Sequence, residues 1–235
     1  MVKLHSFDTK IHKVDSDNLV YPTRTMKTMA DYDNLSIHIL FTRKIGTDDV
    51  LLKVLFCGMD HTDLHQIKSE IYPPSYPLVP GHEVVGEVVE LGTEVKKFKV
   101  GDIVGVGCLV GSCGECLYCD SNLENYCNDR LFSYTGINKD GTCTQGGSSS
   151  AKVVHQNWWG CKAPAHDLIL GRKTITGSFI GSIETREILD FWAEKGLSSM
   201  IEVVKMDYAN KAFEGMERND VRYRFVPDVA GSNMK

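Results

Sequence analysis

The sequence predicts an α+β fold, and three observations carry that prediction. Short apolar stretches punctuated by glycine run from Leu35 to Val106, the pattern of a partly open β-barrel with mixed connections. Four cysteines crowd into residues 111–127 and mark a metal lobe. Two amphipathic helical stretches follow after residue 181.

Residues 1–32 are polar, of mixed charge and little period, and predict a weakly ordered extension. LSIHILF from Leu35 and VLLKVLF ending at Phe56 alternate as strands do. CGMDHTDLHQIKSE then reads as a turn leading into a helix. In SYPLVPGHEVVGEVVELG, two prolines and Gly81 mark a tight loop before a strand from Val84 to Glu90, which Gly92 ends. KKFKVGDIVGVG predicts a hairpin and a further strand running into the lobe. GSIETREILDFWAEKG predicts a helix that starts near Ser182, carries Ile188, Leu189, Phe191 and Trp192 on one face, and stops at Gly196. MDYANKAFEGMERND predicts another, with Asp207 as N-cap and Tyr208, Ala212, Phe213 and Met216 at helical spacing. Pro227 interrupts the strand VRYRFVPDV, where proline belongs at an edge or a bulge.

In GSCGECLYCDSNLENYC, Cys113, Cys116, Cys119 and Cys127 are separated by two, two and seven residues. Tetrahedral zinc takes four soft donors from such a short loop. One disulfide in this cluster would leave two thiols crowded and idle, whereas one metal uses all four. Four thiolates close the coordination sphere, so the site is structural and not catalytic. Cys108 and Cys143 read as small apolar fillers, and His155 as a packing or surface residue.

With 235 residues and 42% hydrophobic content, the chain can build one sizeable core or two modest domains. A formal charge of -5 argues against nucleic acid or an anionic membrane as partner. No run reaches the apolar length of a membrane span, and the N-terminus has no apolar signal core. Eight cysteines in such a chain fit a reducing cytoplasm.

Cys57-Gly58, His61-Thr62-Asp63-Leu64-His65, Gly81-His82-Glu83, VGDIVGVGCLVGSC and the four-cysteine lobe resemble the zinc-dependent medium-chain alcohol dehydrogenases. LENYC, Thr144-Gln145-Gly146-Gly147, GRKTITGSFIGS and VKMDYANKAFEGMERNDVRYRF are similar to plant cinnamyl alcohol dehydrogenases, and the match spans roughly residues 33–157 and 168–232. The resemblance implies a GroES-like catalytic domain over 33–164, a remnant of a doubly wound nucleotide-binding (Rossmann) domain over 165–200, and a return to the catalytic domain over 201–235. It also implies NADPH-dependent reduction of hydroxycinnamaldehydes to the alcohols of lignin biosynthesis, with zinc polarising the carbonyl. His82 falls on a zinc ligand and Glu83 on its neighbouring carboxylate. Thr62 and His65 fall on a proton relay, for which imidazole is suited by its near-neutral pKa. Thr62, Ser178, Phe179 and Ile180 fall on cofactor contacts, and His61 on a residue near the cofactor phosphate.

The chain departs from that family at the chemistry. Asp60 stands where the first catalytic cysteine belongs, and the segment carrying the second is missing. Cys161, in NWWGCKAPA, does not recreate its context, and Trp158 and Trp159 have no assigned role. Two readings remain for Asp60, His82 and Glu83: a degraded zinc site, or a polar pocket without metal. No Gly-x-Gly-x-x-Gly turn occurs anywhere. Such a domain takes on the order of 100–150 residues, and the interval from Lys162 to Leu168 cannot hold it. The chain is therefore expected to be either an impaired NADP- and zinc-dependent oxidoreductase acting on a small aldehyde or alcohol, or an inactive zinc-stabilised domain, with homodimer formation left open.

Overall fold

A computed structural model describes residues 19–27, 35–71, 73–74, 76–156 and 185–232. In chain order its elements are β1 (Leu19–Lys27), β2 (Ser36–Arg43), β3 (Asp49–Gly58), α1 (His61–Ile67), β4 (Glu83–Leu91), β5 (Ile103–Val106), β6 (Leu109–Gly111), α2 (Leu117–Asp120), β7 (Leu131–Phe132), β8 (Ala151–His155), α3 (Thr185–Lys195), β9 (Glu202–Lys205), α4 (Ala209–Glu217) and β10 (Phe225–Asp228).

β3 is the centre of the main sheet. It pairs antiparallel with β4, β8 and β10, in a sheet ordered β5-β4-β3-β10-β9 with β8 beside β3. Val50, Leu51, Leu52, Val54 and Cys57 are all buried, which explains a nearly continuous apolar run in place of strict alternation. The sheet is mixed, since β9 and β10 run parallel, and no closed barrel forms among the described residues. Leu64 and Ile67 of α1 and Ala209, Ala212, Phe213 and Met216 of α4 join the same core as β3. The C-terminal stretch therefore packs against the first strands of the sheet. The side chain of Asn210 reinforces that join by bonding both the amide (2.8 Å) and the carbonyl (3.0 Å) of Leu35.

Several local expectations need correction. β1 lies inside the stretch expected to be weakly ordered, and pairs antiparallel with β2 from Tyr21↔Thr42 to Lys27↔Ser36. Its backbone ladder, and not an apolar period, makes it a strand. Asp207 does not cap α4: a short 3-10 turn over Met206–Tyr208 precedes it, and Tyr208 stands at the cap without a side-chain bond. Tyr208 is exposed, and Ala209 takes its place in the buried stripe. α3 is described from Thr185, and its expected start near Ser182 lies outside the described residues. Of its expected apolar face Trp192 is buried but Phe191 is exposed, while the Ile188 and Leu189 side chains lie outside the described residues. Gly196 ends α3 as expected, at φ +60° with the Leu197 amide bonded to the Trp192 carbonyl. Pro227 sits inside the sheet, in the gap between the two points where β10 touches β3, Met59↔Phe225 and Phe56↔Asp228. A residue without an amide hydrogen fits that gap.

One buried charge lacks an acidic partner among its hydrogen bonds. Lys152, on β8, donates from Nζ to the carbonyls of Ser133 (3.0 Å) and Gln145. Burial, helped by Arg43, pushes its pKa down from 10.5 to about 8, against the influence of Cys57. Below pH 8 both folded and unfolded chains carry the proton and the burial penalty is complete. Between 8 and 10.5 the unfolded chain binds more protons, so stability rises with pH. Wild type should therefore gain about 3 kcal/mol relative to Lys152→Met from pH 8 to 10.5. Urea melts of both proteins across that range check this, and parallel pH profiles would contradict it.

Candidate metal centres

The cysteine lobe is an excursion between β6 and β7, and their pairing at Leu109↔Phe132 and Gly111↔Leu131 closes its neck. Gly114 turns the chain at φ +82°, a conformation that glycine adopts without strain. The four sulfurs converge: Cys113–Cys127 is 3.5 Å, Cys116–Cys119 3.6 Å and Cys113–Cys119 3.8 Å. Zn–S bonds of about 2.3 Å place sulfurs about 3.8 Å apart along the edges of a tetrahedron. Disulfide bonds are near 2.05 Å, so these sulfurs are spaced for a shared ion and not for each other. The Cys113 amide donates to Cys127 Sγ at 3.4 Å. Burial raises Cys119, but hydrogen bonds from the Ser112 side chain and the Gly114 backbone bring it down to about 7. That favours the thiolate, the form that binds metal. These residues fit zinc.

A second cluster forms where α1 meets the Gly81-His82 loop. Asp60 is the N-cap of α1, its Oδ1 accepting from the amides of Thr62 (2.7 Å) and Asp63 (3.3 Å). Asp63 returns the bond, Oδ2 accepting from the Asp60 amide at 3.1 Å, which completes a capping box. The other oxygen of fully buried Asp63 accepts from the Gly81 amide (2.9 Å) and holds His82 Nδ1 (3.0 Å). Gly81, at φ +105°, is required here, because a Cβ would lie 2.5 Å from Cys57 Sγ. With Nδ1 engaged, His82 turns Nε2 to Asp60 Oδ2 at 3.5 Å. The Tyr134 hydroxyl lies 3.4 Å from Nδ1. Arg224 faces the group from β10's side: one guanidinium nitrogen is 3.4 Å from Asp60 Oδ2 and the other 3.4 Å from Glu83 Oε1.

Charge is shared unevenly in this cluster. Burial opposes the charged form of His82, but Asp63 and Asp60 outweigh it and push the imidazole up to about 11. Burial likewise opposes ionised Asp60, yet His82 and Arg224 hold its carboxyl well below the usual range. For Glu83 burial wins and the pKa rises, despite Arg224 and His82. Cys108, expected to be a filler, is raised by burial first and also feels the charges of His82, Asp60 and Asp63.

Of the expected trio, the structure brings Asp60 and His82 together and sets Glu83 against the guanidinium instead. Asp63 completes the metal-capable group with Asp60 and His82, but it turns to Gly81 and the rear nitrogen of the imidazole. A catalytic zinc takes three protein ligands with an open position. Among the described residues this arrangement aims only Asp60 Oδ2 and His82 Nε2 at one point, and does not fit that ion. Thr62 and His65 stand three apart on the exposed face of α1, with His65 Nδ1 2.5 Å from Glu70. His61 Nε2 lies 3.2 Å from the Met216 carbonyl. His155 and Cys143 are exposed. Ser178, Phe179, Ile180, Cys161, Trp158 and Trp159 lie outside the described residues. A cleft of about 40 Å³ adjoins the cluster, lined in part by Met59, Asp60, His61, Met216, Tyr223 and Arg224. Small-molecule sites are roughly 300–1,000 Å³. Sequence reasoning missed Asp63, Tyr134 and Arg224. An Asp-x-x-Asp pair opening a helix was a usable capping signal for Asp63; Arg224, 165 residues from Met59, had none.

The alcohol dehydrogenase GroES-like domain family matches residues 46–165. Cinnamyl alcohol dehydrogenase 1 of Medicago truncatula is 35% identical over 327 residues, covering 82% of this chain and 91% of that protein. Cinnamyl alcohol dehydrogenase 5 of Arabidopsis thaliana is 36% identical over 334 residues, covering 85% and 94%. A solved cinnamyl alcohol dehydrogenase of Sorghum bicolor superposes at TM-score 0.81 with 28% identity, covering 92% of this chain and 99% of that one. The 327 positions shared with the Medicago protein hold at most 82% of these 235 residues, about 193, so about 134 of them face no residue of this chain. Among the described residues no helix is long and apolar enough to cross a membrane. With a GroES-like domain over half its length and plant relatives more than one-third identical over most of it, the chain belongs to the cinnamyl alcohol dehydrogenase family of zinc-dependent medium-chain alcohol dehydrogenases.

Proposed function

We propose that this oxidoreductase descends from enzymes that reduce hydroxycinnamaldehydes with NADPH, and that hydride transfer is impaired in it. The carrying observation is the gap of about 134 positions against its relatives. NADP, when bound, supplies the hydride, and the protein must hold its reactive carbon against the substrate carbonyl. The chain offers no glycine-rich phosphate turn for that purpose. In this reading residues 33–164 form the catalytic domain, 165–200 the remnant of the nucleotide domain, and 201–235 the return. Ser178, Phe179 and Ile180 are the remaining nicotinamide contacts. Thr62 and His65 keep the relay positions on α1, where their exposure supports a site that has lost its far wall. The donor set at Asp60 and His82 supports no metal-dependent step.

The tetrahedral spacing of the sulfurs favours a second reading, an inactive domain stabilised by zinc. Cys113, Cys116, Cys119 and Cys127 would hold the ion, which supplies folding energy and no catalysis. Seven described cysteines are free thiols, which supports a reducing cytoplasm. Leu197, Met200, Ile201, Val203 and Tyr223 are exposed, and support self-association.

Two measurements separate these readings. NADPH fluorescence titrated with the protein should show no saturable binding in the micromolar range, and coniferaldehyde should leave the nicotinamide absorbance unchanged. Saturation followed by turnover would overturn the impairment. Structural zinc contributes about 10–16 kcal/mol in comparable sites, as much as the roughly 5–15 kcal/mol stability of a whole domain. Cys116→Ser should therefore release one zinc per chain and unfold the lobe. Unchanged metal content and an unchanged thermal transition would count against the zinc-stabilised domain.

A further inference from the structure

We propose that the outer pair of the cysteine lobe is a peroxide-sensitive latch: hydrogen peroxide joins Cys116 to Cys119 as a disulfide and opens the zinc site, and thiol reductants close it again. This rests on the reading of the four cysteines as a zinc site. Cys116 stands at the start of α2 and Cys119 within it, so their sulfurs share one turn, 3.6 Å apart. A disulfide near 2.05 Å needs them to approach by only about 1.5 Å. With two residues between them, they can close without disturbing the neck that β6 and β7 form.

Access separates this pair from the other. Glu115, Leu117, Tyr118 and Asp120 around it are exposed, whereas Cys127 is fully buried. Cys113 and Cys127 are as close, at 3.5 Å, but Cys127 Sγ is also held by the Cys113 amide and faces no solvent. An oxidant arriving from water therefore meets the outer pair first. One thiolate of that pair attacks a peroxide oxygen; the O–O bond breaks, a sulfenic acid forms and hydroxide leaves. The second thiolate attacks the sulfenic sulfur; the S–S bond forms, the S–O bond breaks and a second hydroxide leaves. Two protons from solvent turn both hydroxides into water. Two thiolates have then given up two electrons, and peroxide has taken them. Only Cys113 and Cys127 remain for the ion, half of the donor set that a structural site uses.

Zinc-loaded, reduced wild type treated with equimolar hydrogen peroxide tests this. A chromogenic chelator reads released zinc, and peptide masses after alkylation of free thiols locate the oxidised cysteines. One zinc should be lost per disulfide formed, the disulfide should join Cys116 to Cys119, and dithiothreitol with added zinc should restore the starting count. Cys143→Ser, which removes the exposed thiol outside the lobe, should lose zinc at the wild-type rate. A first disulfide between Cys113 and Cys127, or zinc retained while Cys143 is fully oxidised, would overturn the latch and leave the zinc site standing. Reduced wild type that takes up no zinc would overturn the zinc reading itself, and the latch with it.

Discussion

The carboxylate of Asp63 is the constraint on which the reactive end of the sheet depends. It is fully buried and accepts hydrogen bonds from the Asp60 amide, the Gly81 amide and His82 Nδ1. An uncompensated buried charge is costly, so all three donors are held to it. One side chain thereby fixes the start of α1, the entry to β4 and the orientation of the imidazole. Holding Nδ1 from behind is also how a metal-binding histidine is aimed. That back half of the arrangement is intact here. In front of Nε2 stands the Asp60 carboxylate, and the two acids push the pKa of the imidazole up.

The front is decided by strand register. β10 closes on β3 at two points only, and the space between them accommodates Pro227. Those two points are enough to deliver Arg224 to Asp60. Met206, Phe213, Met216, Phe225 and Val229 pack into the same core as Leu52 and Val54, so the arginine's position is paid for by apolar burial elsewhere and not by its own ion pairs. Partly exposed pairs at 3.4 Å contribute little stability by themselves. Their consequence is local: they set the Asp60 and Glu83 carboxylates against one guanidinium.

What could be read in the sequence follows the range of the interactions. The four sulfurs lie within residues 111–127, so spacing alone revealed a convergence that the structure places at 3.5 to 3.8 Å. β4 was legible because its burial alternates along most of the strand, and β3 because its apolar run is nearly continuous. Asp60 and His82 were legible through the motifs around them. Arg224 was not, since its role exists only once Met59 and Phe225 pair. The contact of Glu83 with Arg224 was not legible for the same reason: it depends on a register that no local pattern encodes. β1 was missed because its ladder to β2 leaves no apolar period to read, and Asp207 was mistaken for a cap because a 3-10 turn delays α4 by one residue.

The two clusters also differ in how local they are. All four cysteines of the lobe come from one short loop closed at its neck by β6 and β7, so its donor set is local in sequence. The other cluster draws its groups from α1, the Gly81-His82 loop and the segment before β10. Asp60 belongs to that cluster through its place at the start of α1. A hard carboxylate there is then compatible with folding, because it caps α1 and pairs with Arg224. The carboxylate that faces His82 Nε2 thus also satisfies the start of the helix, so one residue serves both the cluster and the core beneath it.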